Sequence, residues 1–261
     1  MPMNHANEVY RNLIDEVVDR GYGADPRGMF TKEIIGHTTR CSMSSPIVTI
    51  PERELGYKFM FAEAHWILSG DNRVSTIKPY SKAIKRFSDD GVFYFGAYGP
   101  KIVDQLPYIC KALNDDLTTR QACINIWREK PPISRDIPCT LSLQFLVRRD
   151  TLYVISNMRS NDVWLGWPYD NFNFSMIGLS VCLLMRQMHN KKLKLGMLIN
   201  NAGSRHLYKE NFEKAYKVAD STALGFGYET ITPERFTSFE DLKNELKVYK
   251  DNPSEFLFAH T

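Results

Sequence analysis

The chain has 261 residues, 43% of them hydrophobic and 24% charged, with a formal net charge of +3. That size and balance support one large α/β or α+β domain with a substantial core, spanning 1–261. So small a charge is too weak to argue for a function built on nucleic acid or membrane binding, which usually shows as clustered Lys/Arg.

The N-terminus, MPMNHANEVYRNLIDEVVDRG, lacks the apolar stretch of a signal peptide. Within it Val9, Leu13, Ile14, Val17 and Val18 recur at helical spacing, which predicts a helix over 7–20 ended by Gly21 and Gly23. KEIIGHTTR reads as a short strand. Residues 52–69 form an apolar helical run stopped by Gly70, and Glu63 is out of place in it. SDDGVFYFGAYGPK is a Gly-rich aromatic loop, 101–116 a helix and RQACINIW a strand. LSLQFLVRRDTLYVISNMRS predicts two strands joined in a hairpin at Arg149-Asp150. An apolar helix follows over 171–189, then an amphipathic helix in HLYKENFEKAYKVAD. From 232 onward the chain is polar and irregular, with a short helix near 239–248. No run approaches the ~18 apolar residues of a membrane span.

The five cysteines, at 41, 110, 123, 139 and 182, are odd in number and contain no CxxC pair. Neither a disulfide framework nor a metal site is expected, and the pattern suits a reducing cytoplasm. Cys139, in RDIPCTLSLQF, is either a small buried hydrophobe or a nucleophile at a strand end. The second role requires nearby positive charge to lower its pKa, for which Arg159 and Arg120 are candidates. Those arginines are either solvated surface residues or a converging phosphate site, since a guanidinium fork matches phosphate. Glu63 is either a partly exposed helix residue or a desolvated carboxyl suited to proton transfer. His206 and Tyr208 either pack a helix start or, two apart in a turn, hold one sugar hydroxyl.

In their order these segments resemble the thymidylate synthase family from about residue 27 to 216. RSNDVWLGWPYD is similar to the family's RS-C-D-x-F-L-G-L-P-F-N, and PCTLSLQF to its PCH-x-x-x-QF. GSRHLY resembles GDTHLY, EAHWILSGD resembles ELLWFLQGD, and FGAYG resembles GPVYG. The resemblance implies an α+β fold with a large mixed sheet, packed back to back against its twin in a homodimer. It implies Cys139 as the nucleophile on C6 of a pyrimidine, with Glu63 and Tyr98 in the proton relay. Arg159 and Ser160 match phosphate ligands, and Arg27 a further phosphate arginine. Arg120 matches one of two arginines that reach the phosphate from the partner subunit. Gln144 and Asp162 match positions around the base and the folate, and Gly166 lies on the same folate-side turn. His206 and Tyr208 match the pair on the sugar 3′-hydroxyl.

The chain departs from the pattern in several places. Gln121 stands where the second arginine is usual, Thr140 replaces a His, and Lys78 stands where a folate-side Trp is expected. The sequence ends SEFLFAHT where the family has a short apolar tail. Asp170 stands where a thymidylate synthase has Asn, whose amide complements N3–H and O4 of uracil. Cytosine shows the reverse, an acceptor at N3 and an amine at N4. An ionised Asp170 would accept from that amine and repel O4, a mismatch of ~1–3 kcal/mol. The same Asp in an RSND context marks the deoxycytidylate hydroxymethylases within the family.

The expectation is therefore one-carbon transfer from 5,10-methylenetetrahydrofolate to C5 of a cytidine monophosphate. Lys78 and the altered tail suggest a wetter folate side and a hydroxymethyl product. The alternatives are methylation of the same base, thymidylate synthesis from dUMP, or a nucleotide- or RNA-binding protein on an inactive synthase scaffold.

Overall fold

The structure, a computed structural model, describes residues 5–81 and 83–257. The ends considered above for a leader and for a folate-side tail include 1–4 and 258–261, which lie outside the described residues. Helix α1 (Ala6–Arg20) buries Tyr10, Leu13, Ile14, Val17 and Val18, the stripe read from the sequence. A short strand β1 (Tyr22–Ala24) pairs with the long β2 (Thr31–Ser42). Helix α2 (Tyr57–Leu68) begins five residues later than its apolar run suggests. Pro51–Arg53 form a single 3-10 turn, and Glu54 takes a left-handed conformation (φ 47°) that breaks the helix there. Helix α3 (Val74–Ile77) is one turn, and α4 (Gly99–Asp115) follows the aromatic loop.

Strand β3 (Cys123–Asn125) leads to β4 (Thr140–Arg148) and β5 (Thr151–Asp162). Arg149 (φ 50°) and Asp150 (φ 59°) make the tight turn that the right-handed strand twist favours. Helix α5 (Trp167–His189) starts four residues before the predicted one, so Trp-Pro-Tyr is its first turn and not a loop. Proline is at home at that position, where its missing N–H has no partner in any case.

Strand β6 (Lys194–Tyr208) was not predicted over 194–205. Gly196, Gly203 and the pair Asn200-Asn201 obscure its alternation. It also takes His206–Tyr208 away from the amphipathic helix, which begins only at α6 (Phe212–Asp220). Helices α7 (Phe239–Tyr249) and α8 (Pro253–Leu257) close the chain. No helix among the described residues is long and apolar enough to cross a membrane.

The strands form one sheet in the order β1-β2-β6-β5-β4-β3. All neighbours are antiparallel except β5 and β6, the pair that α5 joins by a crossover. On one face Leu143, Phe145, Leu152, Val154 and Leu198 are buried, and α5 covers β5 and β6. Trp167 stacks on Tyr10 at 5.5 Å, tying α5 to α1. Each such wholly buried side chain contributes about 1.5–3 kcal/mol.

The other face carries the half-exposed Leu146, Tyr153, Ile155, Met197 and Ile199. A hydrogen-bonded row crosses it, from Ser142 to Asn157 to Asn201 to Thr38. The result is the mixed α+β architecture that the resemblance implies.

Candidate active site

Strand register brings one set of side chains to one end of the sheet. The Arg159 N–H donates to the Cys139 carbonyl at 2.9 Å, placing the start of β4 beside the end of β5. Ser160 pairs with Ser204, Asp162 with His206, and Thr31 with Tyr208. Arg27 is exposed on the turn before β2, at the same end of that strand. His206 and Tyr208, two apart, share one side of a strand and not a turn, and their rings meet edge to face at 5.2 Å. Helix α5 starts at this end, so Gly166 and Asp170 enter the group.

Two loops hold the nucleophile's strand against α4. The Gly96 N–H donates to Asp136 Oδ2 at 2.7 Å, and a Cβ at Gly96 would lie 2.5 Å from the Asp136 carbonyl. Only glycine permits that approach, which sets Tyr98 next to Thr140. The Thr140 N–H donates to the Tyr98 hydroxyl at 3.4 Å. Arg159 donates from Nε to the Pro138 carbonyl at 3.1 Å and from Nη2 to the Ile137 carbonyl at 3.0 Å. Its guanidinium thus braces the approach to Cys139.

The electrostatics differ from expectation at two groups. Cys139 was expected to have a lowered pKa, but burial pushes its thiol up. Arg159 opposes that, while Asp170, Asp136 and Asp162 add to it. One guanidinium does not offset desolvation and three acids, so the free protein carries a thiol. Asp170 was expected to be ionised. Burial, reinforced by Glu63, instead holds its carboxyl well above the usual range, against the pull of Arg205 and Asn161.

Glu63 is pushed up to about 7 by burial, and the 2.7 Å bond it accepts from Asn173 Nδ2 pulls the other way. Tyr98 is raised by burial and by the neighbouring Asp170 and Cys139. Asp170 acts on both Cys139 and Tyr98, and Glu63 acts on Asp170, so the four groups lie close enough to shift one another. Of the four, Glu63 is the one poised to exchange a proton at neutral pH.

Asp162 Oδ1 accepts the N–H groups of Trp164 and Leu165 at 2.7 and 2.9 Å, which shapes the turn into α5. Burial raises this carboxyl too, against the pull of those amides, His206 and Arg53. Its Oδ2 has no partner among the described residues. An unpaired carboxylate oxygen beside the exposed Leu165 fits a ligand that presents N–H donors and an apolar ring edge. Gly166 leaves only 3.0 Å between a built Cβ and the Asp162 carbonyl, so a larger residue would open this turn. Lys78 is exposed at the end of α3, and its ammonium has no ion-pair partner among the described residues.

Three expected residues stay apart. Gln144 pairs with Ile155, five residues along β4 from Cys139, and its Nε2 donates to the Arg120 carbonyl at 2.9 Å. Arg120 and Gln121 line a hollow of about 410 Å³ with Asp116, Thr118 and Thr119. At about 3.3 Å per strand residue, this group lies well over 10 Å from the nucleophile of its own chain. Arg120 therefore contributes nothing to the Cys139 thiol within one subunit.

Other residues at the site were not anticipated. Asn161 donates from Nδ2 to Asp170 Oδ2 at 2.7 Å, and Arg205 donates to Asn161 Oδ1. Arg53 donates from Nη2 to the Trp164 carbonyl at 2.6 Å, with its guanidinium 4.3 Å over the Trp164 ring. Asn173 was legible in principle, because it stands three residues after Asp170 on one helix face. Arg53 and Asp136 carried no sequence signal.

The thymidylate synthase family model matches residues 8–254. Among curated proteins, a deoxyuridylate hydroxymethyltransferase of Bacillus phage SP01 is 25% identical over 264 residues. The match covers 90% of this chain but 65% of that relative, so the chain spans less than two thirds of the relative's length.

Proposed function

Because the chain belongs to the thymidylate synthase family, we propose that it transfers a one-carbon unit to C5 of a pyrimidine nucleoside monophosphate, with deoxycytidylate as substrate and 5-hydroxymethyldeoxycytidylate as product. The observation that carries the choice of base is Asp170. It is a carboxyl in the first turn of α5 that Glu63 acts on and that in turn acts on Tyr98 and Cys139. A carboxyl that retains its proton offers cytosine an O–H for N3 and a carbonyl oxygen for the N4 amine. The complementarity expected for an ionised Asp170 therefore survives, with the shared proton on the protein in place of N3.

Cys139 Sγ adds to C6, which makes C5 nucleophilic. The added sulfur leaves again at the end of the cycle, restoring the aromatic ring. Because the thiol is raised, its proton must depart as the ring binds. Glu63, at about 7, sits midway between acid and base at neutral pH and suits proton transfer in both directions. Tyr98, held protonated, donates beside the reacting carbon. Arg159 and Ser160, with Arg27 at the same end of the sheet, bind the phosphate, and His206 and Tyr208 the sugar hydroxyl.

Bound 5,10-methylenetetrahydrofolate supplies the carbon at the oxidation level of formaldehyde. Asp162 through its unpaired Oδ2, the turn at Gly166, and Lys78 would hold it. Loss of the C5 proton and departure of tetrahydrofolate would leave an exocyclic methylene on C5, and water adding to it gives the hydroxymethyl group as the sulfur leaves C6.

Arg120 serves the phosphate of a partner subunit in this reading. The half-exposed sheet face carrying Tyr153, Ile155 and Ile199 supports a back-to-back homodimer. Five free thiols suit the cytoplasm. The name of the phage relative supports hydroxymethyl over methyl, and it favours a second reading in which the base is uracil. A protonated carboxyl can pair with either base. Mass analysis of the product from dCMP, formaldehyde and tetrahydrofolate tests the proposal. A product heavier by CH2O supports it, whereas one heavier by CH2, or conversion of dUMP alone, refutes it.

A further inference from the structure

Arg205 is fully buried at 0% exposure, an unusual site for a guanidinium in the middle of a sheet. Its Nη1 donates to Asn161 Oδ1. Its Nη2 donates to Asn200 Oδ1 at 2.7 Å and to the Asn200 carbonyl at 3.1 Å. Asn161 in turn donates from Nδ2 to Asp170 Oδ2 at 2.7 Å.

This chain of bonds has a direction. A guanidinium has donors only, so Asn161 must turn its oxygen to Arg205 and its amine to Asp170. A reversed amide would set N–H against N–H at Arg205. Asp170 Oδ2 is therefore committed as an acceptor on the side facing Asn161. A proton on the carboxyl resides on Oδ1, because a protonated Oδ2 is the weaker acceptor for Asn161. Arg205 adds a positive charge behind the amide, which favours the same arrangement.

Without this relay the carboxyl is ambivalent. Its proton can sit on either oxygen, and the group matches a 4-oxo ring as well as a 4-amino one. With the relay, Oδ2 remains an acceptor, and an amine is the substituent that satisfies it.

We propose that Arg205 and Asn161 are positioning residues that determine base specificity: they hold Asp170 Oδ2 as an acceptor against the 4-substituent of the pyrimidine, so that the site selects a 4-amino over a 4-oxo ring. The inference rests on the reading of Asp170 as the group that meets the base.

The test is kcat/KM for dCMP and for dUMP, measured on wild type and on three folded variants, with melting curves as the control for folding. Arg205→Met should lower the dCMP-to-dUMP ratio about tenfold or more, partly by raising the dUMP value, since the loss of one committed hydrogen bond is of that size. Arg205→Lys, which keeps a donor and the charge, should retain most of the ratio. If the lone Asn161 oxygen left by Arg205→Met prevents folding, the double variant Arg205→Met with Asn161→Leu replaces both ends by apolar groups, an exchange that folds tolerate better. It should show the same fall.

A purely structural relay would lower both substrates together. A ratio unchanged within about twofold in either folded Arg205→Met background therefore overturns the proposal. A wild type that already prefers dUMP is a different result, because it removes the assignment of Asp170 itself.

Discussion

Replacing Asp170 by Asn tests the base assignment, and the geometry sets the size of the effect. Asn161 Nδ2 sits 2.7 Å from Asp170 Oδ2 and is fixed as a donor by Arg205 behind it. In Asp170→Asn the new amide must present its oxygen to Asn161, so an acceptor stays where Oδ2 stood, against the 4-substituent, and the amine faces N3. That still fits cytosine, whose N3 accepts, whereas uracil sets its N3–H against the amine, donor against donor, at a cost of about 1–3 kcal/mol. Turning the amide over to suit uracil would set its amine against Asn161 Nδ2, at a similar cost. The variant should therefore keep a preference for dCMP of about 1–3 kcal/mol, which is about fivefold to about 140-fold at 1.4 kcal/mol per factor of ten. Asp170→Asn combined with Arg205→Met frees the amide to turn and should lose that preference. The assay is steady-state kcat/KM for dCMP and dUMP at pH 7, with melting temperature as the control for folding. A preference for dUMP in Asp170→Asn alone would refute the reasoning, as would a wild type that prefers dUMP.

Cys139→Ala should abolish turnover while equilibrium binding of the nucleotide persists, since a covalent nucleophile acts in the chemical step; a tenth of wild-type activity would assign the nucleophile elsewhere. Arg159→Ala should weaken binding of the monophosphate by about 1.5–3 kcal/mol and leave the unphosphorylated nucleoside nearly unaffected, measured by calorimetry. Arg120→Ala is inactive in this reading for want of a partner's guanidinium, so mixing it with Cys139→Ala should restore activity through heterodimers with one intact site; no recovery on subunit exchange would place Arg120 outside the phosphate site. Glu63→Gln should slow turnover by about 10²–10⁴. It should also change the pH dependence of stability. The wild-type carboxyl is raised from 4.5 to about 7 by burial, so between those values the folded state holds a proton that the unfolded chain has released. Wild-type stability therefore falls as pH rises through this window, and the Gln variant lacks the fall. In urea titrations its advantage should grow from pH 4.5 to 7 by at most about 3 kcal/mol and then level off; an advantage independent of pH would mean that Glu63 is solvated.

What could be read in the sequence was what short-range chemistry determines. The apolar stripe of α1 and the Arg149-Asp150 turn fix themselves within a few residues, and both stand where expected. Motif order singled out Cys139, Arg159, Ser160, Asp162, Gly166, Asp170, His206 and Tyr208; strand register and the start of α5 gather them at one end of the sheet. Strand β6 escaped because a central strand between two partners needs no clean alternation, and its glycines and asparagines resemble a loop. The charge states escaped for a related reason. Whether Cys139 is a thiol, or Asp170 keeps its proton, depends on desolvation by residues distant in the chain, a sum that residue types do not contain. Arg205 shows the limit most clearly. In the sequence it is a basic residue next to His206 with no evident purpose. In the fold, β6 carries it behind β5, and Asn161 connects it to a carboxyl on α5. Aspartate alone, inserted where an amide is usual, would give a pocket that accepts both bases. The choice between them depends on a cation 35 residues further along the chain, which directs the amide that directs the acid.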